Sequence, residues 1–306
     1  MKRGMIGFVA AAIVASSAGE AFAQDASIPP ETLKAQTATK GTTDVAKSGF
    51  ATGGLPSDED PKQATEASVS AGGLFSSGNA RTVAVTTAGK LKIRRDEHQF
   101  GLQLAANFAR AGKKGEAVDT SVENYQGLLR YDYFFTESIA AFLQASARRD
   151  RFQGLDLRAN IDPGLAYYFI NTKKQSLRAE GGYDLQYDVR RDASRTQTPP
   201  TAAPGAPAPA PLPLLDKTQT LHNLRLFAGY ENKLYKEVSM VTGLEYLQNF
   251  SDAATYRLVF DAGIKSSVAD NLAVAVTYTM RYENTPLPTV ENTDSIASVN
   301  LVYTLF

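Results

Sequence analysis

The stretch SLRAEGGYDLQYDVR at residues 176–190 decides the fold, because apolar and polar side chains alternate along its whole length. One parity carries residues such as Leu177 and Leu185, and the opposite parity carries charges such as Arg178 and Glu180. A period of two is typical of a β-strand with one apolar and one polar face. Strands of soluble proteins average about 5–6 residues, whereas a tilted strand that crosses a bilayer needs about 9–11. Length and pattern together predict a strand of a transmembrane barrel.

The same alternation recurs on both sides of this stretch. The predicted strands cover residues 66–77, 80–95, 97–111, 119–135, 138–152, 155–170, 175–191, 217–231, 236–250, 253–268, 271–284 and 291–306. An even number of strands suits a closed antiparallel barrel, and closure removes the sheet edges that lipid cannot hydrate. We therefore predict an all-β fold, a transmembrane antiparallel up-and-down β-barrel of about 12 strands.

Prolines and connection lengths support this division of the chain. Of the 14 prolines, only Pro163 lies within a predicted strand, where it predicts a bulge or a local break because proline cannot donate to a ladder. With both termini in the periplasm, the periplasmic turns are short and fall near residues 96–97, 136–137, 171–174, 232–235 and 269–270. The opposite connections are longer, as is typical of outer-membrane barrels.

Aromatic residues gather near the predicted strand ends. They include Tyr131, Tyr133, Phe135, Tyr167, Phe169 and Tyr303. Amphipathic rings favour the membrane–water interface. The chain ends in Phe306, and together with Tyr303 this aromatic is similar to the C-terminal assembly signal of outer-membrane proteins. Thr304 departs from that pattern, because the usual aromatic two residues before the last is absent.

Composition and the N-terminus indicate the compartment. The chain has 32 basic and 32 acidic residues and no Cys, which excludes a disulfide framework and removes the global basic charge that non-specific nucleic-acid binding needs. Residues 1–23 combine Lys2 and Arg3, an apolar run and the cleavage site Ala21-Phe22-Ala23, and so predict a cleaved signal peptide. Residues 24–65 predict a disordered periplasmic tail, residues 66–306 the barrel, and residues 192–216 a long Pro/Ala-rich outer loop.

Several stretches resemble the salt-induced outer-membrane protein family, the YdiY-like β-barrel domain of unknown function. They are GGLFSSGNARTVAVTTAGKLKIRR at 72–95, the segment from LRYDYFFTESIAAF to GLAYYFI at 129–170, and SLRAEGGYDLQYDVRR at 176–191. The most specific parts are Ser77–Asn79, the run at 130–134, and Asp150-Arg151-Phe152. The resemblance implies an outer-membrane barrel. It implies no catalytic residue and no defined substrate.

Charges of both signs occupy one parity of the strands. A charge that faces lipid at the bilayer midplane costs about 2–4 kcal/mol for Arg or Lys, so this parity is predicted to face the interior. The candidate selectivity residues are Arg130, Asp132, Arg148, Asp150, Arg178, Glu180, Asp184, Arg225, Glu245, Arg257, Asp261, Lys265 and Arg281. The leading interpretation is a narrow passive channel for small polar or ionic solutes. The alternative is a non-conducting structural or stress-related barrel with a salt-bridged, plugged interior.

An enzyme is a minor alternative, because some barrels with twelve strands are lipid hydrolases. Such an enzyme needs a base beside a nucleophile. The chain has only His98 and His222 and no G-x-S-x-G motif, so we expect no enzymatic activity. No cofactor and no metal are expected. The expected partners are outer-membrane lipid, the barrel-assembly machinery through the C-terminal strand, and small polar solutes, but no nucleic acid.

Overall fold

The computed structural model describes residues 62–76, 80–113, 117–151, 153–197, 210, 212–288 and 290–305. Within these residues the chain forms twelve β-strands. The strands are β1 Thr65–Ser76, β2 Ala80–Arg95, β3 His98–Lys113, β4 Asp119–Phe134, β5 Ile139–Asp150, β6 Leu155–Asn171, β7 Gln175–Arg190, β8 Thr218–Lys233, β9 Val238–Asn249, β10 Tyr256–Ala269, β11 Leu272–Glu283 and β12 Thr293–Thr304. A short 3₁₀ turn at Asp192–Ser194 follows β7. In the described part of the chain, no helix is long and apolar enough to cross a membrane.

Each strand pairs with its sequence neighbour in antiparallel register, and β12 returns to pair with β1. The predicted closed up-and-down barrel of twelve strands is confirmed, and every strand limit lies within three residues of its prediction. Thr65 and Thr304 lie at the same end of the wall, which we call the inner end. The five short turns lie at this end, whereas the β7–β8 connection spans residues 191–217 at the opposite, outer end.

The seam between β1 and β12 is the shortest pairing of the barrel. It runs from Ser68↔Thr304 to Ala71↔Leu301, which is four residue pairs, whereas β1 pairs with β2 at twelve positions. Gly72 follows the last pair, and a Cβ there would lie 2.8 Å from the carbonyl oxygen of Val299. Only glycine therefore fits where the two strands begin to separate toward the outer end.

The outward face of the wall is apolar. Exposed aliphatic side chains on it include Val85, Leu104, Leu129, Leu143, Ile161, Leu165, Leu226, Leu244, Ile264, Val276 and Leu301. Among the described strand residues, charged side chains of outward parity lie only near strand ends. They are Arg81, Arg95, Arg110, Glu123 and Arg149. The outward parity therefore carries an apolar band between two rims.

Aromatic side chains mark both rims of this band. The predicted residues Tyr131, Tyr133, Phe135, Tyr167, Phe169 and Tyr303 are all exposed near the inner end. At the outer end Tyr256 contacts Tyr246 and Tyr282, with ring centroids 6.1 and 5.8 Å apart. The aromatic residues thus lie at the strand ends, as the sequence predicted.

Pro163 interrupts one ladder without shifting it. The β6–β7 pairing passes from Ile161↔Leu185 to Gly164↔Gly182, and the register is unchanged across the gap. On the other side, Pro163 keeps its partner Leu143 on β5. The predicted irregularity is therefore a local break in the β6–β7 ladder, and the bulges of β6 lie elsewhere, near both of its ends.

Several predicted features lie outside the described residues. They are the signal peptide at 1–23, the tail at 24–61, Ser77–Asn79, Phe152, the Pro/Ala-rich core at 198–209 and Phe306. The tail was predicted to continue to residue 65, but Ala64 is already buried and Thr65 belongs to β1. The described wall therefore starts slightly before its predicted limit.

The seam can be tested with an engineered disulfide, since the natural chain has no Cys. Val69 and Tyr303 are register partners across the seam, and paired Cα atoms of antiparallel strands are about 4.5–5.5 Å apart, within the range that a disulfide spans. We expect Val69→Cys/Tyr303→Cys to form an intramolecular disulfide, visible as a reductant-sensitive mobility shift on a gel.

The matched control is Val69→Cys/Val299→Cys. Val299 lies four residues along β12 from Tyr303, which is roughly 13 Å of strand, so this pair should stay reduced. Equal crosslinking of the two variants would contradict the register of the seam.

Candidate functional site

The interior of the barrel is the candidate site, because the antiparallel register brings inward side chains of distant strands together. Twelve of the thirteen candidate charges are buried: Arg130, Asp132, Arg148, Asp150, Arg178, Glu180, Asp184, Arg225, Glu245, Arg257, Asp261 and Arg281. Lys265 shares their inward parity but is exposed at the inner end of β10.

Glu180 on β7 is the centre of the largest ion-pair cluster. Its Oε2 accepts hydrogen bonds from Arg130 Nη1 at 3.0 Å and Arg225 Nη1 at 2.8 Å. Its Oε1 accepts one from Arg178 Nε at 2.9 Å. The Glu180 side chain has no exposed surface, and the three arginine side chains are 2–3% exposed. One carboxylate therefore holds three guanidinium groups from β4, β7 and β8.

Two further carboxylates balance this cluster. Asp132 accepts from Arg130 Nη2 at 2.7 Å, and Glu245 accepts from Arg225 Nε at 2.7 Å. With Glu180, the cluster then has three carboxylates for its three guanidinium groups. We call these six residues the central cluster. Buried ions are tolerated when each is paired and hydrogen-bonded. Each ion of the central cluster makes at least one charge-assisted hydrogen bond.

Two phenylalanine rings support the arginines of the central cluster. The Arg130 guanidinium lies 4.2 Å from the centroid of the Phe142 ring. Arg225 lies 5.5 Å from the ring centroids of both Phe142 and Phe227. A guanidinium over an aromatic face is favoured electrostatically, and its planar shape packs closely there. The cluster therefore fills its part of the interior with both charges and rings.

A second cluster lies toward the outer end of the interior. Arg158 on β6 makes two hydrogen bonds to Asp188, at 2.7 and 2.8 Å. Gln153 in the β5–β6 turn accepts from Arg148 at 2.6 Å and from Arg281 at 3.2 Å, and it donates to Asp294 on β12 at 2.8 Å.

The sequence did not predict Gln153 as an interior residue, because Gln153 lies in a turn and the alternation assigns inward positions only within strands. Its partners Arg281 and Asp294 lie 128 and 141 residues away along the chain. Two signals were nevertheless present, since Gln153 precedes Gly154 and follows the strand that carries Arg148 and Asp150. A polar residue beside a turn glycine can fold back over a barrel mouth.

Asp150 accepts a hydrogen bond from the backbone N–H of Gln153 at 3.1 Å. The candidate carboxylates Asp184 and Asp261 bond neutral side chains. Asp184 accepts from Asn160 at 2.7 Å and from Asn223 at 2.9 Å. Asp261 accepts from Thr279 at 2.6 Å. Arg257 donates to Gln186 at 3.2 Å. These bonds extend the polar filling around β6–β11.

The opposite wall is lined by small side chains that remain accessible. Inward residues of β1, β2, β11 and β12 with partial exposure include Ser68, Ser70, Thr86, Ala88, Ala275, Thr277 and Asn300. We call these seven residues the small-residue wall. By contrast, Ala105 and Ala109, which face inward from β3, are 8% and 1% exposed. Accessible space therefore lies beside the small-residue wall, off the barrel axis.

Three outer connections meet above this interior. Gly154 has φ +72°, and a Cβ there would lie 2.6 Å from Ser194 and 3.1 Å from Leu287. Arg191 donates its backbone N–H to the Gly154 carbonyl at 2.8 Å. Lys217 donates to Asp192 at 3.0 Å, and this hydrogen bond lowers the pKa of the exposed Asp192 carboxyl below its ordinary value.

The two histidines lie on the outward parity, away from the charge clusters. His98 contacts the Tyr131 hydroxyl at 2.6 Å, and His222 contacts the Tyr183 hydroxyl. In the described part of the chain, no group of three or more His, Cys, Asp or Glu residues could hold a metal ion. Tyr303 of the predicted assembly signal faces outward on β12 and is 47% exposed.

One protein-family model, described as "Protein of unknown function, DUF481", matches residues 69–305. No curated protein matches the chain significantly in sequence. Among solved structures, the chain is similar to the NanC porin, with 10% identity over 78% of this chain and 97% of that chain and a TM-score of 0.43. It is also similar to an outer-membrane channel from Pseudomonas putida F1, with 10% identity over 83% of this chain and 98% of that chain and a TM-score of 0.43. For the translocator domain of the autotransporter NalP from Neisseria meningitidis, identity is 12%, coverage is 78% and 86%, and the TM-score is 0.40.

Loss of the Glu180 carboxylate should destabilise the barrel strongly. Glu180→Ala leaves three buried guanidinium groups without the carboxylate that they share. Removing one partner of a buried ion pair lowers the free energy of unfolding by about 3–5 kcal/mol. Urea-induced unfolding of the barrel in phospholipid vesicles measures the change in the free energy of unfolding.

The matched control is Glu123→Ala, which removes an exposed pair with Arg151 at 3.4 Å. Such surface pairs contribute about 0–1 kcal/mol. Equal losses for the two variants would show that the central cluster contributes no more than a rim pair.

Gly154→Ala should loosen the connections at the outer end. The added Cβ meets Ser194, and the left-handed φ strains any L side chain, at a cost of roughly 1–3 kcal/mol. We expect faster trypsin cleavage after Arg191 and Arg195 than in the natural protein. Gly89→Ala is the control, since a Cβ at Gly89 meets nothing within 4 Å; accelerated cleavage in both variants would contradict the packing at Gly154.

Proposed function

The chain belongs to the DUF481 family, and on that premise we propose that it is an outer-membrane β-barrel that gives small polar or ionic solutes a narrow passive passage. Membership agrees with the resemblance to the YdiY-like outer-membrane proteins. The family's description names no activity.

The outward face supports the membrane location. An apolar band between aromatic rims matches the hydrocarbon core and its two interfaces, and a closed wall leaves few backbone groups exposed to lipid. Leu143, Leu165 and Val276 are each more than half exposed, which would be unfavourable in water. The proposal includes export through the signal peptide and assembly through the C-terminal strand.

The small-residue wall is the observation that carries the proposed passage. Ser70, Ala88 and Ala275 are partly exposed although they face the interior. Side chains of this size leave room for water and small solutes, whereas the central cluster fills the other side. The passage would therefore be narrow, off-centre and polar on one side.

A sealed structural barrel is the second candidate. The observation that favours it is the exclusion of solvent from the central cluster, where Glu180 and Glu245 have no exposed side-chain surface. If the clusters and the outer connections also blocked the small-residue wall, the barrel would hold its shape without conducting.

The proposal includes no enzymatic activity. Each histidine contacts a tyrosine hydroxyl on the outward face, whereas a hydrolase of the serine type needs its base beside a nucleophilic hydroxyl. Lipid hydrolysis by the purified barrel that is lost in His222→Ala would overturn this part of the proposal.

Conductance in planar bilayers tests the passage, and two neighbouring positions provide a matched pair. Ala88 and Thr87 are adjacent on β2 and point to opposite faces of the wall. Ala88→Phe should lower single-channel conductance roughly twofold or more, because the ring enters the small-residue wall and pore width limits conduction. Thr87→Phe adds the same ring to the outward face and should leave conductance unchanged.

Refolding must be verified first, by the heat-dependent gel mobility that folded barrels show. Folded natural protein without discrete conductance would overturn the passage and favour the sealed barrel. Equal conductance of both variants would place the passage elsewhere in the interior.

A further inference from the structure

Three arginines lie on the outward face of the wall at its outer end. Arg81 lies at the start of β2, Arg110 near the end of β3 and Arg149 near the end of β5. All three side chains are exposed. In the β2–β3 ladder, Arg110 is opposite Val83, which is two residues from Arg81. Diagonal neighbours of this kind are about 7–8 Å apart. We call these three residues the rim arginines, and they occupy one sector of the outer rim.

The acidic residues of this sector are directed elsewhere. Glu123 is the one acidic residue of outward parity among the described strand residues, and it lies 3.4 Å from Arg151. Asp119 is opposite Ala111, which has inward parity. Within the described part of the chain, none of the rim arginines forms an ion pair with a carboxylate. Their positive charge is therefore available to a ligand.

The outer end of the opposite side of the wall is neutral on its outward face. Tyr246, Gln248, Tyr256 and Tyr282 lie there on β9, β10 and β11. The described residues of β8–β12 include no Asp, Glu, Lys or Arg of outward parity near the outer end. Charges that only mark the membrane surface would be spread around the barrel. The rim arginines are instead confined to β2–β5.

An apolar groove with a volume of about 720 Å³ lies on the outward face beside the rim arginines. Leu104, Ala106 and Tyr125 line it, together with Thr87 on β2. Thr87 and Ala106 are register partners, and they are smaller than the leucine and tyrosine around them. Tyr125 is opposite Ala106 on one side and Arg149 on the other. The groove therefore extends to the position next to a rim arginine.

We propose that this sector binds an anionic lipid of the outer leaflet, with the phosphate of its headgroup on the rim arginines and an acyl chain in the groove. The inference rests on the membrane location and orientation in the proposed function, and it is independent of the passage. A guanidinium group is always charged and can donate two parallel N–H bonds to phosphate oxygens. Headgroups lie at the level where the apolar band ends, and acyl chains lie against the band. The arginines and the groove therefore fit the two parts of one amphiphile.

A single introduced Trp can report on the lipid beside it, because the natural chain has none. Tyr125→Trp places the reporter between the groove and Arg149, and Leu226→Trp places a control reporter on β8, across the barrel. The two natural side chains are 46% and 45% exposed. Bromine on the acyl chains of a lipid quenches the fluorescence of a neighbouring Trp. In vesicles of phosphatidylcholine with brominated phosphatidic acid, we expect phosphatidic acid to be enriched roughly fivefold at Tyr125→Trp and not at Leu226→Trp.

The rim arginines are tested in the Tyr125→Trp protein, after folding has been verified by heat-dependent gel mobility. Arg81→Gln/Arg110→Gln/Arg149→Gln should abolish the enrichment. Arg81→Lys/Arg110→Lys/Arg149→Lys should keep part of it, because lysine keeps the charge without the two parallel bonds. In about 1 M salt the enrichment should fall, because the Debye length is then only about 3 Å.

The matched control removes the same number of charges from exposed turns at the inner end, in Lys173→Gln/Lys174→Gln/Lys236→Gln. The enrichment at Tyr125→Trp should persist in this variant. An equal loss in the lysine and arginine variants would overturn the inference, because net charge alone would then attract the lipid. A dimer in detergent that Ala106→Trp dissociates would also overturn it, by assigning the groove to a second copy of the chain.

Brominated phosphatidylcholine separates failure of the inference from failure of the membrane location. If it quenches neither reporter, the barrel is not in the bilayer, and the proposed function and the inference are both overturned. If it quenches both reporters but phosphatidic acid is not enriched at Tyr125→Trp, or is enriched equally at Leu226→Trp, the inference alone is overturned.

Discussion

Closure of the sheet between β1 and β12 is the constraint on which the other features depend. A twelve-stranded sheet left open would present two edges of unpaired N–H and C=O groups, each costly to bury in hydrocarbon. Four residue pairs from Ser68 to Ala71 remove most of that cost on the inner half of the seam. Once the sheet is closed, each side chain points either out of the barrel or into it. Along each strand, apolar outward side chains therefore alternate with enclosed inward side chains.

This division explains how a chain of zero net charge suits a barrel with an apolar outside. The inward parity takes nearly all the charges of the strand interiors, and a low dielectric requires them to neutralise each other locally. The central cluster does so with three arginines and three carboxylates. Within the central cluster, neutrality therefore results from pairing inside the barrel.

The wall could be predicted from the sequence because its determinants are local. Alternation, short polar turns and the exclusion of proline located all twelve strands, and even Pro163 produced the expected break. The partners inside the barrel could not be predicted, because they depend on strand tilt and register. Glu180 bonds Arg130 and Arg225, which are 50 and 45 residues away, and no local pattern selects these two among the inward arginines. Gln153 escaped for the same reason, and parity alone could not separate exposed Lys265 from buried Asp261.

The two interpretations of the interior, channel and plug, are supported by different sides of it. The central cluster on β4, β7, β8 and β9 forms a filled side, because a buried network with several charge-assisted bonds per group resists rearrangement. The small-residue wall on β1, β2, β11 and β12 carries residues that cannot fill the space opposite. In the proposed passage, the filled side would keep the space beside the small-residue wall narrow.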